Sequence, residues 1–292
     1  MRNKTNRDKL RNERYLKAEV LYLNTNRTLR SVCEEYNIAR EEFSKYLKSK
    51  NISTRKRIDS CDTKFENISS EEQAYWLGFL YADGSLTYKE NFPTRYVVEL
   101  SLQKNDKEHL EKFKLFMNSK RKIEFRERLN AFRIIISSKK TCSDLIKLGC
   151  TPKKSLTLTF PNEKQLPKKL INHFIRGYFD GDGHISLRKN TNGLQTIQIL
   201  GTKEFLESLV SIKKINCSLK KDLRHKGNTF YISLNVLDGT KLLKDMYQKS
   251  TIHLTRKYEK YLLAVQHRNK LNYERAKTVK GEIPNTVLNT IK

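Results

Sequence analysis

The chain has 292 residues, with 59 Lys plus Arg against 32 Asp plus Glu, a formal net charge of +27 and a pI of about 9.8. Such an imbalance points to a polyanionic partner, nucleic acid first, and no apolar run approaches the roughly 18 to 20 residues of a membrane span. Cys33, Cys61, Cys142, Cys150 and Cys217 are odd in number and never in CxxC spacing, which excludes a disulfide frame or CxxC zinc site and suits a reducing intracellular compartment. Residues 1–14 are charged, lack the apolar core of a signal peptide, and are expected to fray, with order beginning near Tyr15. From 28 to 47, Leu29, Val32, Cys33, Tyr36, Ile38, Phe43, Tyr46 and Leu47 have the spacing of two short helices, joined where Asn37 can turn left-handed. This pattern resembles a helix-turn-helix, with residues 15–23 as support, 39–48 as recognition helix, and Arg40, Ser44 and Lys45 toward a groove. A helical hairpin packed on the main body is the competing reading. Residues 49–69 read as a polar linker whose Arg55, Lys56 and Arg57 touch DNA phosphates.

Ser69, Ser70, Glu71 and Glu72 then supply a cap and an acidic first turn for a helix running to about Ala82. It carries WLGFLYADG at 76–84, echoed by IRGYFDGDG at 175–183. Small residues fall one helical turn apart in both copies, Gly78 and Ala82, then Gly177 and Gly181, and such a face lets two helices pack with close backbones. Packed in parallel, the helices bring Asp83 and Asp182 together at one end. Two carboxylates there meet the negative ends of both dipoles and repel each other, so they require a cation. Oxygen ligation by Asp83 and Asp182, with the adjoining Gly84 and Gly183, suits Mg2+, Mn2+ substituting, and the chemistry fits phosphodiester hydrolysis.

After Gly84 the period turns to two. Strands are expected at 85–89 and 96–103, turning around Asn91-Phe92-Pro93. A helix from Asn105 or Asp106 to Met117, strands 122–128 and 131–137 turning near Asn130, and a helix at 141–148 follow. The second copy repeats the order, with helix 168–180, strands 184–188 and 196–200, helix 203–212, strands 218–223 and 229–234, and helix 239–248. A further helix over 258–270 precedes an uncommitted tail. The fold class is therefore α+β, two pseudo-symmetric αββαββα repeats forming a DNA-binding saddle, preceded by a small all-α helix-turn-helix domain. The expected domains are 1–60, 70–165, 166–270 and 271–292. Arg95, Glu99, Ser101, Gln103, Arg126, Arg128, Arg188, Gln198, Lys220 and Asp222 are of the types that read base edges or hold phosphates, while Tyr96 and Tyr231 are expected in the sheet cores.

The paired segments resemble the two motifs of LAGLIDADG homing endonucleases, a resemblance covering about residues 70–270. It implies this same fold with each sheet in a major groove, and hydrolysis of both strands across a minor groove. In that family the eighth motif residue is the metal-binding acid, which carries over to Asp83 and Asp182. The sixth is often a second Asp; here Asp180 stands in one copy and Tyr81 in the other, so Asp180 is left outside the catalytic set. The family also places a basic residue near the site, implying Lys154 and Lys257 as aids to the water network or the phosphorane charge, with phosphate clamping as the alternative. The expected function is a monomeric, magnesium-dependent, site-specific endonuclease of double-stranded DNA, of the intron-homing kind. Its expected setting is the cytoplasm of a bacterium or phage host, or an organelle. The alternative is a non-cleaving DNA-binding regulator or an RNA-splicing maturase, with RNA a partner only in that case. Acids at both eighth positions favour cleavage, and the Met start without flanking splicing segments favours a free-standing protein over an intein.

Overall fold

The computed structural model describes residues 2–25, 27–52, 54, 62–91, 95–154, 157–222 and 229–280, with side chains from 9 to 275. The chain divides into two compact units, Met1–Ile58 and Asp59–Lys292.

The first unit holds three helices, α1 (Arg2–Asn24), α2 (Leu29–Glu35) and α3 (Arg40–Ser49). The expected fraying of residues 1–14 is corrected, because α1 starts at Arg2. The segment contains no Gly or Pro, and once a turn is nucleated each further residue adds a hydrogen bond. Tyr15, Ala18 and Tyr22 of α1 pack on Val32, Cys33, Ile38, Phe43 and Leu47. The hydroxyl of Thr28 caps α2 by accepting from Ser31 N at 3.1 Å. Asn37 takes φ 47°, the left-handed turn expected between the two helices. Arg40 and Lys45 are exposed on α3 and Ser44 is half-buried. Arg55, Lys56 and Arg57 lie outside the described residues, as do the tips of the expected turns at 92–93 and 226–228.

In the second unit the linker reading is corrected at its end. Phe65 and Ile68 are buried in the main core, and the Lys64 carbonyl accepts from the Gln73 amide at 2.9 Å. Helix α4 (Glu71–Asp83) begins with a capping box in which the Ser70 hydroxyl accepts from Gln73 N and Gln73 reaches back to the cap. Then come β1 (Gly84–Lys89), β2 (Arg95–Gln103), α5 (Lys107–Phe116), β3 (Glu124–Arg126), β4 (Ala131–Ile136) and α6 (Lys139–Lys147). The order recurs as α7 (Ile171–Asp182), β5 (Gly183–Leu187), β6 (Leu194–Gly201), α8 (Lys203–Lys213), β7 (Leu219–Lys221), β8 (Phe230–Leu234) and α9 (Val236–Tyr247). Each repeat forms an antiparallel four-stranded sheet of the same order, β1-β2-β4-β3 and β5-β6-β8-β7. Helix α10 (Thr255–Lys280) continues ten residues past its expected end.

The glycines hold α4 and α7 together. A Cβ built on Gly78 would lie 2.0 Å from the carbonyl oxygen of Phe174, and one on Gly177 would lie 1.9 Å from that of Tyr75. One on Gly181 would meet the Ala82 methyl at 2.3 Å. Gly78 sits between Phe174 and Tyr178, Gly177 between Tyr75 and Phe79, and Ala82, one turn further on, meets Gly181, so the helices run parallel with backbones touching. Only glycine lets a backbone carbonyl come that near.

Candidate active site and nucleic-acid face

Helices α4 and α7 end side by side at Asp83 and Asp182. A Cβ on Gly181 would stand 3.3 Å from the Asp83 carboxyl carbon, which places Asp83 against the last turn of α7. Asp83 keeps an exposed surface and Asp182 is half-exposed, so an ion in solution can reach both. Surrounding protein first, then repulsion from Asp182, push the Asp83 pKa up to about 6, against the pull of Lys257, Lys154 and Arg256. Burial raises the Asp182 pKa as well, with Lys154 and Lys257 opposing it. A cavity of about 240 Å³ opens beside them, lined in part by Ala82, Lys154, Tyr178, Asp182 and Thr202.

Lys154 and Lys257 sit at equivalent places beneath the helix ends. The Lys154 ammonium donates to the carbonyls of Ala82, at 3.1 Å, and Gly84. Lys257 donates to those of Phe179 at 2.6 Å, Asp180 at 2.7 Å and Gly181 at 3.1 Å. Each lysine thus caps the carbonyl end of a motif helix, where a cation offsets the dipole. Lys257 is 3% exposed, and burial lowers its pKa to about 8. An ammonium has three donors, and all three of Lys257 are used on the carbonyls of α7. Lys154 is half-buried and faces the cavity.

A buried polar network behind the acids was not foreseen. Asp180 accepts from Tyr75 Oη at 2.7 Å, from Tyr247 Oη, and from Leu254 N at 2.7 Å. It therefore ties α4, α9 and the approach to α10 to the last turn of α7, and its exclusion from the catalytic set fits these contacts. Arg176, 1% exposed, donates to Glu71 Oε1 at 2.6 Å, Met246 O at 2.7 Å and Ile252 O at 2.9 Å. Glu71, read as an acid of the first turn, also joins the repeats. Asp106 stands at the cap position of α5 without a side-chain capping bond; its carboxylate instead accepts from Arg256 Nε at 3.0 and 3.1 Å.

Each sheet buries one face under helices. Val98, Leu100 and Leu102 of β2 point to the core, and pairing puts Lys89, Arg95, Glu99, Arg133, Glu124 and Arg126 on the opposite face. Ser101 and Gln103 share it, opposite Arg133 and Ala131. Glu99 bridges Arg126 at 3.5 Å and Arg133 at 3.8 Å, and Glu124 bridges Arg133 at 2.9 Å. Arg133 was missed because it lies between apolar neighbours. Arg128 is exposed in a 3-10 turn rather than on a strand. In the second sheet His184, Ser186, Thr196, Gln198, Ser233, Tyr231 and Lys220 share the open face. Tyr231 is thereby corrected from core, since Ile232 and Leu234 take the buried positions, whereas Tyr96 packs against the core as expected. Asp222 is 2% exposed, so it is no surface reader. Arg188 is exposed just beyond β5. Burial and the nearby Lys260, Lys257 and Arg256 lower the His184 pKa.

A duplicated αββαββα unit with one acid at the end of each central helix defines the class of protein. Residues 169–244, within the second repeat, match the family model described as a LAGLIDADG-like domain. Two curated proteins of Methanocaldococcus jannaschii are similar to the chain. One is a "Probable translation initiation factor IF-2", 27% identical over 259 residues, covering 75% of this chain and 21% of that protein. The other is a "Replication factor C small subunit", 29% identical over 210 residues, covering 70% and 11%. The chain thus spans only 21% and 11% of the length of these relatives. Among solved structures, the I-SmaMI LAGLIDADG homing endonuclease bound to cleaved DNA is 16% identical, covering 77% of this chain and 95% of that one, with TM-score 0.47. The I-LtrWI LAGLIDADG homing endonuclease bound to target DNA is 14% identical, covering 76% and 96%, with TM-score 0.40. Among the described residues no helix is long and apolar enough to cross a membrane.

Proposed function

We propose that the chain is a metal-dependent, site-specific endonuclease of double-stranded DNA, of the LAGLIDADG homing type. The observation that carries this reading is the pair Asp83 and Asp182, open to solvent at the touching ends of two parallel helices, with both pKa values raised. A binding surface alone has no use for two carboxylates that repel each other beneath a polyanion. Two carboxylates are hard oxygen donors of the kind Mg2+ takes, and water and phosphate oxygens would make up the rest of its ligands. Asp83 and Asp182 would hold it. The Gly84 carbonyl already accepts from Lys154, which leaves the two carboxylates as the principal donors. Bound there, the ion supplies a lower pKa for an attacking water and neutralises charge on the phosphate. The chain's own contribution is to fix both carboxylates by helix packing at a place where burial and mutual repulsion raise their pKa values and a bound cation would relieve both.

The open sheet faces and the net charge of +27 support DNA as partner, with the chain acting as a monomer because both acids come from one chain. The first unit, with Arg40, Ser44 and Lys45, is proposed as an additional DNA contact, and Arg55, Lys56 and Arg57 as phosphate contacts. The two curated relatives have unrelated named roles, so neither role is transferred. The test is incubation with random-sequence duplex in Mg2+ or EDTA, followed by sequencing of the ends. Defined ends in Mg2+ alone support the reading; binding without ends supports a regulator.

A further inference from the structure

The two open sheet faces carry different chemistry. Across the first, six strand side chains are ionised: Lys89, Arg95, Glu99, Glu124, Arg126 and Arg133. Among the described strand residues of the second, Lys220 alone is a Lys, Arg, Asp or Glu; it stands on the edge strand opposite Tyr231, and His184, Ser186, Thr196, Gln198 and Ser233 fill the rest of the face. The faces occupy equivalent places in equivalent repeats, so the contrast lies in side chains and not in fold.

Base edges in the major groove answer to these types differently. Arginine pairs in bidentate fashion with the O6 and N7 of guanine, and a carboxylate accepts from the N4 amine of cytosine. Glu99 lies between Arg126 and Arg133, so an Arg–Glu couple presents donor and acceptor together, the complement of one G·C pair. Glutamine instead pairs in bidentate fashion with the N6 and N7 of adenine, hydroxyls accept either base, and apolar surface such as the Tyr231 ring suits the thymine methyl. A carboxylate on the second face would have allowed the same G·C reading, and none stands among its described strand residues. Same-face residues on a strand are roughly 6.6 Å apart, about two base pairs at 3.4 Å each. Each sheet therefore samples several base pairs of its own half-site.

Resting on the DNA-endonuclease reading above, we infer that the target is compositionally lopsided, with the half-site beneath the first sheet rich in G·C pairs and that beneath the second rich in A·T pairs. The test is selection of bound duplexes from a randomised library by the full chain in EDTA, where the DNA stays intact. One G·C-rich and one A·T-rich half are expected in the enriched sites. Glu99→Gln should move one position of the G·C half from C toward A, by roughly five- to a hundredfold in preference, leaving the other half unchanged. Gln198→Glu should do the reverse in the A·T half. Equal composition in the two halves, or a Glu99→Gln change confined to the A·T half, overturns the inference while leaving site-specific binding intact. No enriched sequence at all overturns the endonuclease reading and this inference with it.

Discussion

Asp83→Asn should stabilise the metal-free protein while abolishing cleavage. The Asp83 pKa stands at about 6 against a usual 3.8, so between those values the folded state holds more protons than the unfolded one. Stability from this group therefore falls as pH rises through that window, and the penalty is fully present above pH 6. A displacement of about two units corresponds to about 3 kcal/mol. The side chain is exposed, however, and solvent and salt screening reduce this to about 1 kcal/mol. For a unit of this size that is roughly 2 to 4 °C in Tm. The assay is thermal unfolding followed by circular dichroism in EDTA at pH 7 and pH 4, then at pH 7 with Mg2+. The variant should melt higher at pH 7, the gain should vanish near pH 4, and Mg2+ should restore the wild type relative to the variant. A variant melting no higher than wild type at pH 7, or a gain that persists at pH 4, would refute the claim that repulsion and desolvation burden this carboxylate.

Gly78→Ala and Gly177→Ala should each cost about 3 kcal/mol, roughly 6 to 12 °C in Tm, because the new methyl meets a backbone carbonyl at 2.0 or 1.9 Å; unchanged melting would show that the helices do not touch. Lys257→Met should lower Tm at neutral pH by leaving three carbonyls of α7 without their donor. Its folded pKa of about 8 lies below the usual 10.5, so the wild type should gain on the variant as pH rises from 8 to 10, and parallel melting curves would argue against a buried charge. Removing residues 1–58, one compact unit, should weaken binding to the selected site yet leave metal-dependent cleavage at high protein concentration, and a folded but inactive remainder would tie that unit to the chemistry.

What was legible in the sequence follows from how local the physics is. Gly78, Ala82, Gly177 and Gly181 announced the helix interface because close backbone approach forbids larger residues there. Alternation announced most strands, Asn37 marked a left-handed turn that its φ of 47° bears out, and Asn130, read as a hairpin turn, takes φ 46°. The failures have equally specific causes. In FYISL at 230–234 alternation sets Phe230, Ile232 and Leu234 against Tyr231 and Ser233, so the polar Ser233 marked the open face and the bulk of the Tyr231 ring hid that signal. The placement of Lys257 depends on a chain return of 76 to 78 residues to reach its carbonyls, which no local pattern encodes. Arg176 did leave a signal, a full charge inside an apolar helix, and such a residue is buried only when it is paired.

The sixth motif position shows how far the duplication constrains the site. Tyr81 donates to Leu148 O within its own repeat, whereas Asp180 reaches across the interface to Tyr75 of the other motif helix. Backbone symmetry survives because each glycine contact requires its counterpart to stay put. Side chains one turn away face different neighbours and meet no such requirement. The two acids are accordingly presented at equivalent places while the groups around them differ: Lys154 faces a cavity and Lys257 is sealed, and one sheet face carries six charged strand side chains where the other's described strand residues carry Lys220. A single chain can hold such differences, whereas a symmetric dimer of one repeat would have to place identical side chains on both halves of its target.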